Sequence, residues 1–428
     1  MRSKLLLTTL CGALAAVLLS ANDAGAAGFF TNGVPPAGGT QYPNTLPLTG
    51  NETIPADTNL PAGLNPASEA ITTGQLVGAS FSAAGNGWRN SLIGGDFGTN
   101  LFQRGTTTTG VANTLTYVAD HWGAIGGASS SISASKQTGA SDITATYGAS
   151  LRFGRASSNT NTAAICVGQV VESLNSIRFQ SQVAELVFHL LYGANYSGGA
   201  VTASILTGTG TDEGLASMLA GTWTGYAATA ATAITGSTSW GRYSAVASAP
   251  AGVTEIGVSF CYTPSGTAGT NDWIELAGVQ LDVNNAAQAV TAAGVPGVQA
   301  SFERRPIEVE RALQQRYAYS VGEQAAGVVQ SPIGNTQGTT TTCTTFIPFP
   351  VTMRAAPTYT NALGAATFKL VSASQAATAL STPFSATLVA NSPQGASINF
   401  TTTGMTAKDG CFLVGAGGTG VMLWSAEY

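Results

Sequence analysis

Short runs of alternating apolar and polar residues dominate the chain from Asn86 to Asp282. In "TEIGVSFCYT", Ile256, Val258, Phe260 and Tyr262 alternate with Gly257, Ser259 and Cys261, which describes a strand with one buried face and one small or polar face. The runs "SLRFGR", "AAICVGQVVES", "ELVFHLLYG", "VTASILTG" and "WIELAGVQLDV" are likewise rich in β-branched and aromatic residues, with Gly, Ser, Asn and Pro clusters between them. Many short strands with turn signals and no strong helical period predict an all-β fold, an antiparallel β-sandwich or jelly roll, over residues 86–300. The period changes in "FERRPIEVERALQQRYAY", where Val309, Leu313 and Tyr317 recur every fourth residue and Pro306 suits a first helical turn. A short helical connector is expected over 301–320, with its charge run as a solvated face. The strand pattern returns in "CTTFIPFPVTM", "TFKLVSA", "ASINFTTTG", "CFLVGAG" and "GVMLWSAEY", which predicts a smaller C-terminal β domain over 321–428.

The first 85 residues follow neither pattern. Arg2 and Lys4 precede an apolar run, and Ala24-Gly25-Ala26 suits a small-residue cleavage site, so residues 1–26 read as a signal peptide cleaved after Ala26. The apolar run is too short to span a bilayer comfortably, and no later segment reads as a membrane span. Residues 27–85 carry Pro35, Pro36, Pro43, Pro47, Pro55, Pro61 and Pro66 among Gly, Asn and Thr. Such spacing defeats helices and central strands and predicts an extended arm, a linker on composition alone.

Composition narrows the function classes. Only 9% of residues are charged, and the net charge is −5. A chain without a basic surplus is a poor partner for nucleic acid. With an export signal, the composition fits an extracellular location, on a particle surface or secreted, and disulfides are permissible. Cys166, Cys261, Cys343 and Cys411 allow three pairings. Pairing within each β segment, Cys166 with Cys261 and Cys343 with Cys411, is the preferred reading, and four buried thiols in strand cores is the other. No C-x-x-C spacing points to zinc.

Catalytic signatures are thin. The histidines are His121 and His189, no G-x-S-x-G elbow occurs, and the acids sit in no recognisable catalytic context. "GAGGTG" at 415–420 matches a dinucleotide loop, but the helix that must follow has no room, so a turn between strands is expected. No cofactor is expected apart from a structural calcium, for which Asp96 and Asp272, near strand ends, are the candidates. Flat aromatic faces suit sugar stacking, and Trp223, Tyr226, Tyr196 and Trp240 are the candidate carbohydrate contacts. Trp223→Ala is expected to weaken glycan binding without unfolding the domain.

Four motifs in order carry a resemblance. "NSLIGGDFGTNLFQRGTTTTGVANTLTYVADHW" resembles the opening of a virion module with an N-G-D-F element, a Q-R-G turn and an A-D-R-W stretch. "YTPSGTAGTNDWIELAGVQLDV" is similar to its closing strand. "SFERRPIEVERALQQRYAYS" and "FPVTMRAAPT" are similar to the segments that follow. His121 stands where the family has Arg, and Gln314 where it often has Cys. The family comprises phage tail-fibre, head-fibre and related appendage proteins with a jelly-roll carbohydrate-binding-like module. The resemblance implies a non-enzymatic virion protein, a homotrimer, that attaches to host cell-surface glycan, with the N-terminal arm binding other virion or particle proteins. A secreted bacterial adhesin built from the same module is the alternative, and a polysaccharide depolymerase is a third reading.

Overall fold

The computed structural model describes residues 88–127, 132–139, 142–284, 302–322, 333–362, 368–372, 385–401, 404–415 and 421–428. The signal peptide, the N-terminal arm and most of the glycine run at 415–420 lie outside the described residues. Two compact units divide the chain, Met1–Val77 and Gly78–Tyr428, and every described residue belongs to the second.

Strands β1 (Thr107–Val111), β2 (Thr116–Ala119), β3 (Trp122–Ile125) and β4 (Ile132–Gln137) lead to a short helix, α1 (Asp142–Tyr147). Strands β5 (Ser150–Arg155) and β6 (Ile165–Val171) precede α2 (Ser173–Ser176) and a 3-10 turn at Ile177–Phe179. Strands β7 (Val183–Tyr192) and β8 (Val201–Gly208) are followed by α3 (Leu215–Leu219), then β9 (Ala227–Ile234), β10 (Gly241–Ser248), β11 (Glu255–Tyr262) and β12 (Trp273–Asn284). They form two six-stranded antiparallel sheets, β1-β4-β5-β12-β7-β10 and β2-β3-β6-β11-β8-β9. The expected β-sandwich is present, and the alternation of β11 does what its sequence predicts: Ile256, Val258, Phe260 and Tyr262 are at most 2% exposed. In β7, Ala184, Leu186, Phe188 and Leu190 face the same core, which also holds Phe97, Trp122 and Phe153.

Cys166 and Cys261 are register partners on β6 and β11 and form a disulfide. Strand β12 carries a bulge between Ala277 and Gln280, where Gly278 has φ +55°. A side chain there would be strained and would stand 2.6 Å from the Tyr147 ring.

Helix α4 (Ile307–Gln315) follows. Its charged run is not simply a solvated face: Glu310 is 5% exposed and Gln314 is fully buried. Gln314 takes an N–H from Leu101 at 2.7 Å and donates to the Thr99 carbonyl at 3.0 Å, so the helix is pinned to the sandwich by its polar side. Beyond it lie β13 (Ala318–Gly322), β14 (Gly334–Asn335), β15 (Thr342–Pro348), β16 (Thr358–Ala362) and β17 (Phe368–Ser372). Then come β18 (Ser385–Ser392), β19 (Gly395–Thr401), β20 (Gly410–Gly415) and β21 (Val421–Ser425). They make a three-stranded sheet, β13-β21-β16, and a six-stranded one, β17-β20-β14-β15-β19-β18. Trp424, Phe400 and Ile398 fill a second core, and the Cys343–Cys411 disulfide lies within it. Among the described residues no helix is long and apolar enough to cross a membrane.

Candidate functional site on the outer face of the first sheet

Strand periodicity puts every second residue of β5, β12, β7 and β10 on the face away from the core. On this sheet that face is polar and aromatic. Arg152 pairs with Glu275 across β5 and β12, and Ala277, His189 and Arg242 form a row across β12, β7 and β10. Asp282, Glu185 and Val246 form another row. Arg152 Nε donates to Glu275 Oε1 at 2.7 Å, and Ser150 Oγ donates to Glu275 Oε2 at 2.7 Å. The Arg152 guanidinium lies 3.9 Å over the Trp273 ring, which holds that flat ionic array in place.

An aromatic ridge crosses the middle of the face. Tyr147, at the end of α1, lies 5.3 Å from the His189 ring and meets Phe302 edge-on at 5.1 Å. Trp240, from the entry to β10, packs on the same group with Ile143 and Ala277, and Arg304 lies 5.8 Å over Tyr147. Trp240 and Phe302 are half-buried and Arg304 is exposed. A shallow cleft lined by Asn90, Asp96, Thr99, Phe302, Arg304 and Glu310 borders this ridge.

Charge on this face is tuned by burial. Burial, and then repulsion by Arg242, lower His189 to about 4, against a backbone hydrogen bond at Ala277 that acts the other way. The ring is therefore neutral at neutral pH, and its Nδ1 is buried without a hydrogen-bond partner. Burial raises Asp282 to about 6, with Arg89, Gln280 and Arg178 opposing it. Burial and then Asp282 raise Glu185. These two carboxyls face each other across β12 and β7. Both are 5% exposed, which leaves little room for a substrate between them.

The four aromatic candidates do not converge. Trp240 sits on the ridge. Trp223 is 4% exposed and packs against the other sheet with Val170, Leu206, Leu215 and Met218, its Nε1 donating to Gly214 O at 3.1 Å. Its indole is therefore a packing surface and not an open face. Tyr226, 37% exposed, stands on that same side of the sandwich. Tyr196 follows β7 and leans on Tyr192 at 4.0 Å and Tyr262 at 5.1 Å. Asp96 and Asp272 share no hydrogen-bond partner. Asp96 takes bonds from Thr99, whereas Asp272 is fully buried against Arg155 at 2.7 Å and Ser197. Among the described residues no three acidic, His or Cys side chains gather in a group able to hold a metal ion. Sequence reading missed Tyr147, Arg152 and Phe302 and weighed Glu275 only among the acids of a possible catalytic pair; alternation in β5 and β12 carried a signal for Arg152 and Glu275.

No protein-family model matches the chain, and no curated protein matches it. Among solved structures, the chain is similar to one described as "CBM4 structure and function", at 12% identity over 32% of this chain and 71% of that one, with a TM-score of 0.22. It is also similar to the CBM22-1 xylan-binding domain of Paenibacillus barcinonensis Xyn10C, at 12% identity over 41% of this chain and 99% of that one, with a TM-score of 0.25. The enzymatically active domain of bacteriophage CBA120 tailspike protein 4 aligns at 11% identity over 46% of this chain and 21% of that one, with a TM-score of 0.27. Likenesses of this size decide nothing, and the sandwich rests on its own strand order.

Proposed function

We propose that the sandwich is a non-enzymatic carbohydrate-binding module that uses the outer face of its first sheet. The observation that carries this reading is that half-buried Trp240 and Phe302, seated on Tyr147, share the face with Arg152, whose guanidinium is accessible and is held in place by the buried Glu275 and, through it, Ser150. A saccharide ring needs an apolar plane for its C–H face and fixed polar groups for its hydroxyls, and this face offers both side by side. The motif resemblance supports a host-attachment role on a virion appendage, reached through the N-terminal arm and multiplied by trimerisation. Secretion of the free protein would favour the adhesin built from the same module.

Trp240→Ala is expected to weaken glycan binding about tenfold while leaving the far-ultraviolet spectrum unchanged. Arg152→Ala is expected to change the glycan preference. A glycan array with the full chain and both variants tests this, and identical array profiles for all three proteins would overturn the assignment.

A further inference from the structure

Each half-buried aromatic of the ridge is followed two residues later by an arginine. Trp240 precedes Arg242 in "SWGRY", and Phe302 precedes Arg304 in "SFERR". Strand alternation keeps Trp240 and Arg242 on one face of the first sheet, where Arg242 is the register partner of His189 on β7. Phe302 and Arg304 approach the same tyrosine: Phe302 meets the Tyr147 ring edge-on at 5.1 Å, and the Arg304 guanidinium lies 5.8 Å from its centroid. Burial raises the Tyr147 hydroxyl, and Arg242 and then Arg304 oppose burial, so both cations act on that group. Two guanidiniums from segments far apart in the chain thus converge beside the ridge.

The carboxylates around them are buried or tied down. Glu275, Glu185, Asp282 and Asp96 are all buried. Glu303, half-buried between Phe302 and Arg304, accepts the Asn90 N–H at 2.8 Å and pairs with Arg89 at 4.0 Å. Arg305 pairs with buried Glu310 at 2.7 Å. Arg304, by contrast, is exposed where Tyr147 borders the shallow cleft, and Arg242 is half-buried. Arg152 exposes 34% of its side chain and its partner Glu275 only 6%. His189, lowered to about 4 by burial and then by Arg242, adds no charge at neutral pH. The chain carries a net charge of −5, yet on this face its guanidiniums reach solvent while its carboxylates are largely withdrawn.

A guanidinium presents a planar fork of N–H donors that matches the two oxygens of a carboxylate, and stacking on an aromatic face helps to fix the plane of that fork. A neutral sugar needs the aromatic plane and hydroxyl partners but draws nothing from cations beside the plane. A sugar with a ring carboxylate uses both. We propose that Arg304 and Arg242 bind the carboxylate of an acidic saccharide, of the uronic-acid type, whose ring stacks on the Trp240–Phe302 ridge. This preference rests on the carbohydrate reading of the face and gives the class of glycan bound there.

Matched pairs of glycans test it. The full chain is applied to an array of uronic-acid polysaccharides, each printed beside its neutral, carboxyl-reduced counterpart. The acidic members are expected to bind about tenfold more tightly, and the difference is expected to shrink between about 0.05 and about 0.5 M salt. Arg304→Ala is expected to erase most of that difference. Arg242→Lys, which keeps the charge and loses the fork, is expected to narrow it. Circular dichroism checks that both variants fold, and if Arg242→Lys does not, exposed Arg304 decides the question. Equal binding of acidic and neutral members by the parent protein, with Trp240→Ala still weakening both, overturns the acidic preference and leaves the carbohydrate reading standing. An acidic preference that survives Arg304→Ala unchanged also overturns it. Absence of binding to every member overturns both.

Discussion

Asp282 illustrates how a single buried charge sets a pH dependence. Its carboxyl rises from 3.8 to about 6, and its Oδ1 is buried without a hydrogen-bond partner. An acid whose folded pKa lies above its unfolded one binds its proton more tightly when folded, so stability falls as pH rises from about 4 to about 6. The shift corresponds to about 3 kcal/mol of stability absent at neutral pH. Asp282→Asn removes that proton linkage and keeps an oxygen to accept from Gln280. The variant is expected to show a flatter stability-versus-pH curve between about 4 and 6, and to be more stable than the parent at neutral pH by about 1–3 kcal/mol. Urea denaturation at several pH values checks this; an unchanged slope would mean that Asp282 keeps an ordinary pKa. His189 works in the opposite sense. Its lowered pKa means that stability is lost as pH falls from about 6.5 towards 4.

At the scale of elements, α3 shows how a sheet face is closed. Leu215 and Met218 lie on one side of this five-residue helix and are fully buried against Val170, Leu206 and Trp223. A helix this short has no stability of its own, so it exists because the second sheet offers an apolar seat. Trp223 is the largest part of that seat. Trp223→Ala is expected to cost about 3–5 kcal/mol of stability and to loosen α3. Denaturant titration and amide exchange at α3 report on it. Weakened glycan binding with unchanged stability would restore the role expected from sequence, in which this indole stacks on sugar. On the other sheet the outer face is polar and aromatic, and α1 and the 302–304 segment lean on it.

At the scale of the molecule, the sandwich and the C-terminal sheets are welded by charged side chains. Glu427 is almost fully buried. It accepts from the His121 N–H at 3.1 Å, meets His121 Nδ1 at 2.7 Å and pairs with Arg104 at 3.2 Å. Burial alone would raise its carboxyl, but His121 and Arg104 outweigh burial and hold it below the usual range. Arg104 also lies 3.6 Å from buried Asp120, and the His121 ring stacks on Tyr317 at 3.8 Å. Arg316 pairs with Glu172, while Arg354 donates to the Ala426 and Glu427 carbonyls. Gln103 bridges to Ala318 and Ser320. Glu427→Gln removes the buried carboxylate that Arg104 and His121 share and leaves Arg104 with Asp120 alone, and is expected to cost about 3–5 kcal/mol at neutral pH. The loss should shrink in acid, where the parent carboxyl is itself protonated. Calorimetry at two pH values separates this from a simple packing defect, whose cost would not change with pH.

The strands, the helix at 307–315 and the sandwich class were legible from local pattern, because alternation and turn residues act over a few neighbours. So was the burial of the inward row of β11. The candidate site was legible only in part. Alternation put Arg152 and Glu275 on a non-core face, but Trp240 and Phe302 come together on the Ile143–Tyr147–Ala277 cluster through contacts between residues far apart in the chain. The charged residues of 302–319 read as solvated because nothing local shows that Thr99 and Leu101 wait to bond Gln314. Gln103, Arg104, Asp120, His121, Arg316, Tyr317 and Arg354, which lie in the motifs that carried the family resemblance, meet at one joint. Sequence alone established an all-β chain with an alternating core. Which cysteine faces which, which tryptophan is open to solvent, and that the motif charges serve a joint were decided by tertiary structure. Those outcomes depend on what burial brings within a few ångströms, and strand order sets that rather than spacing along the chain.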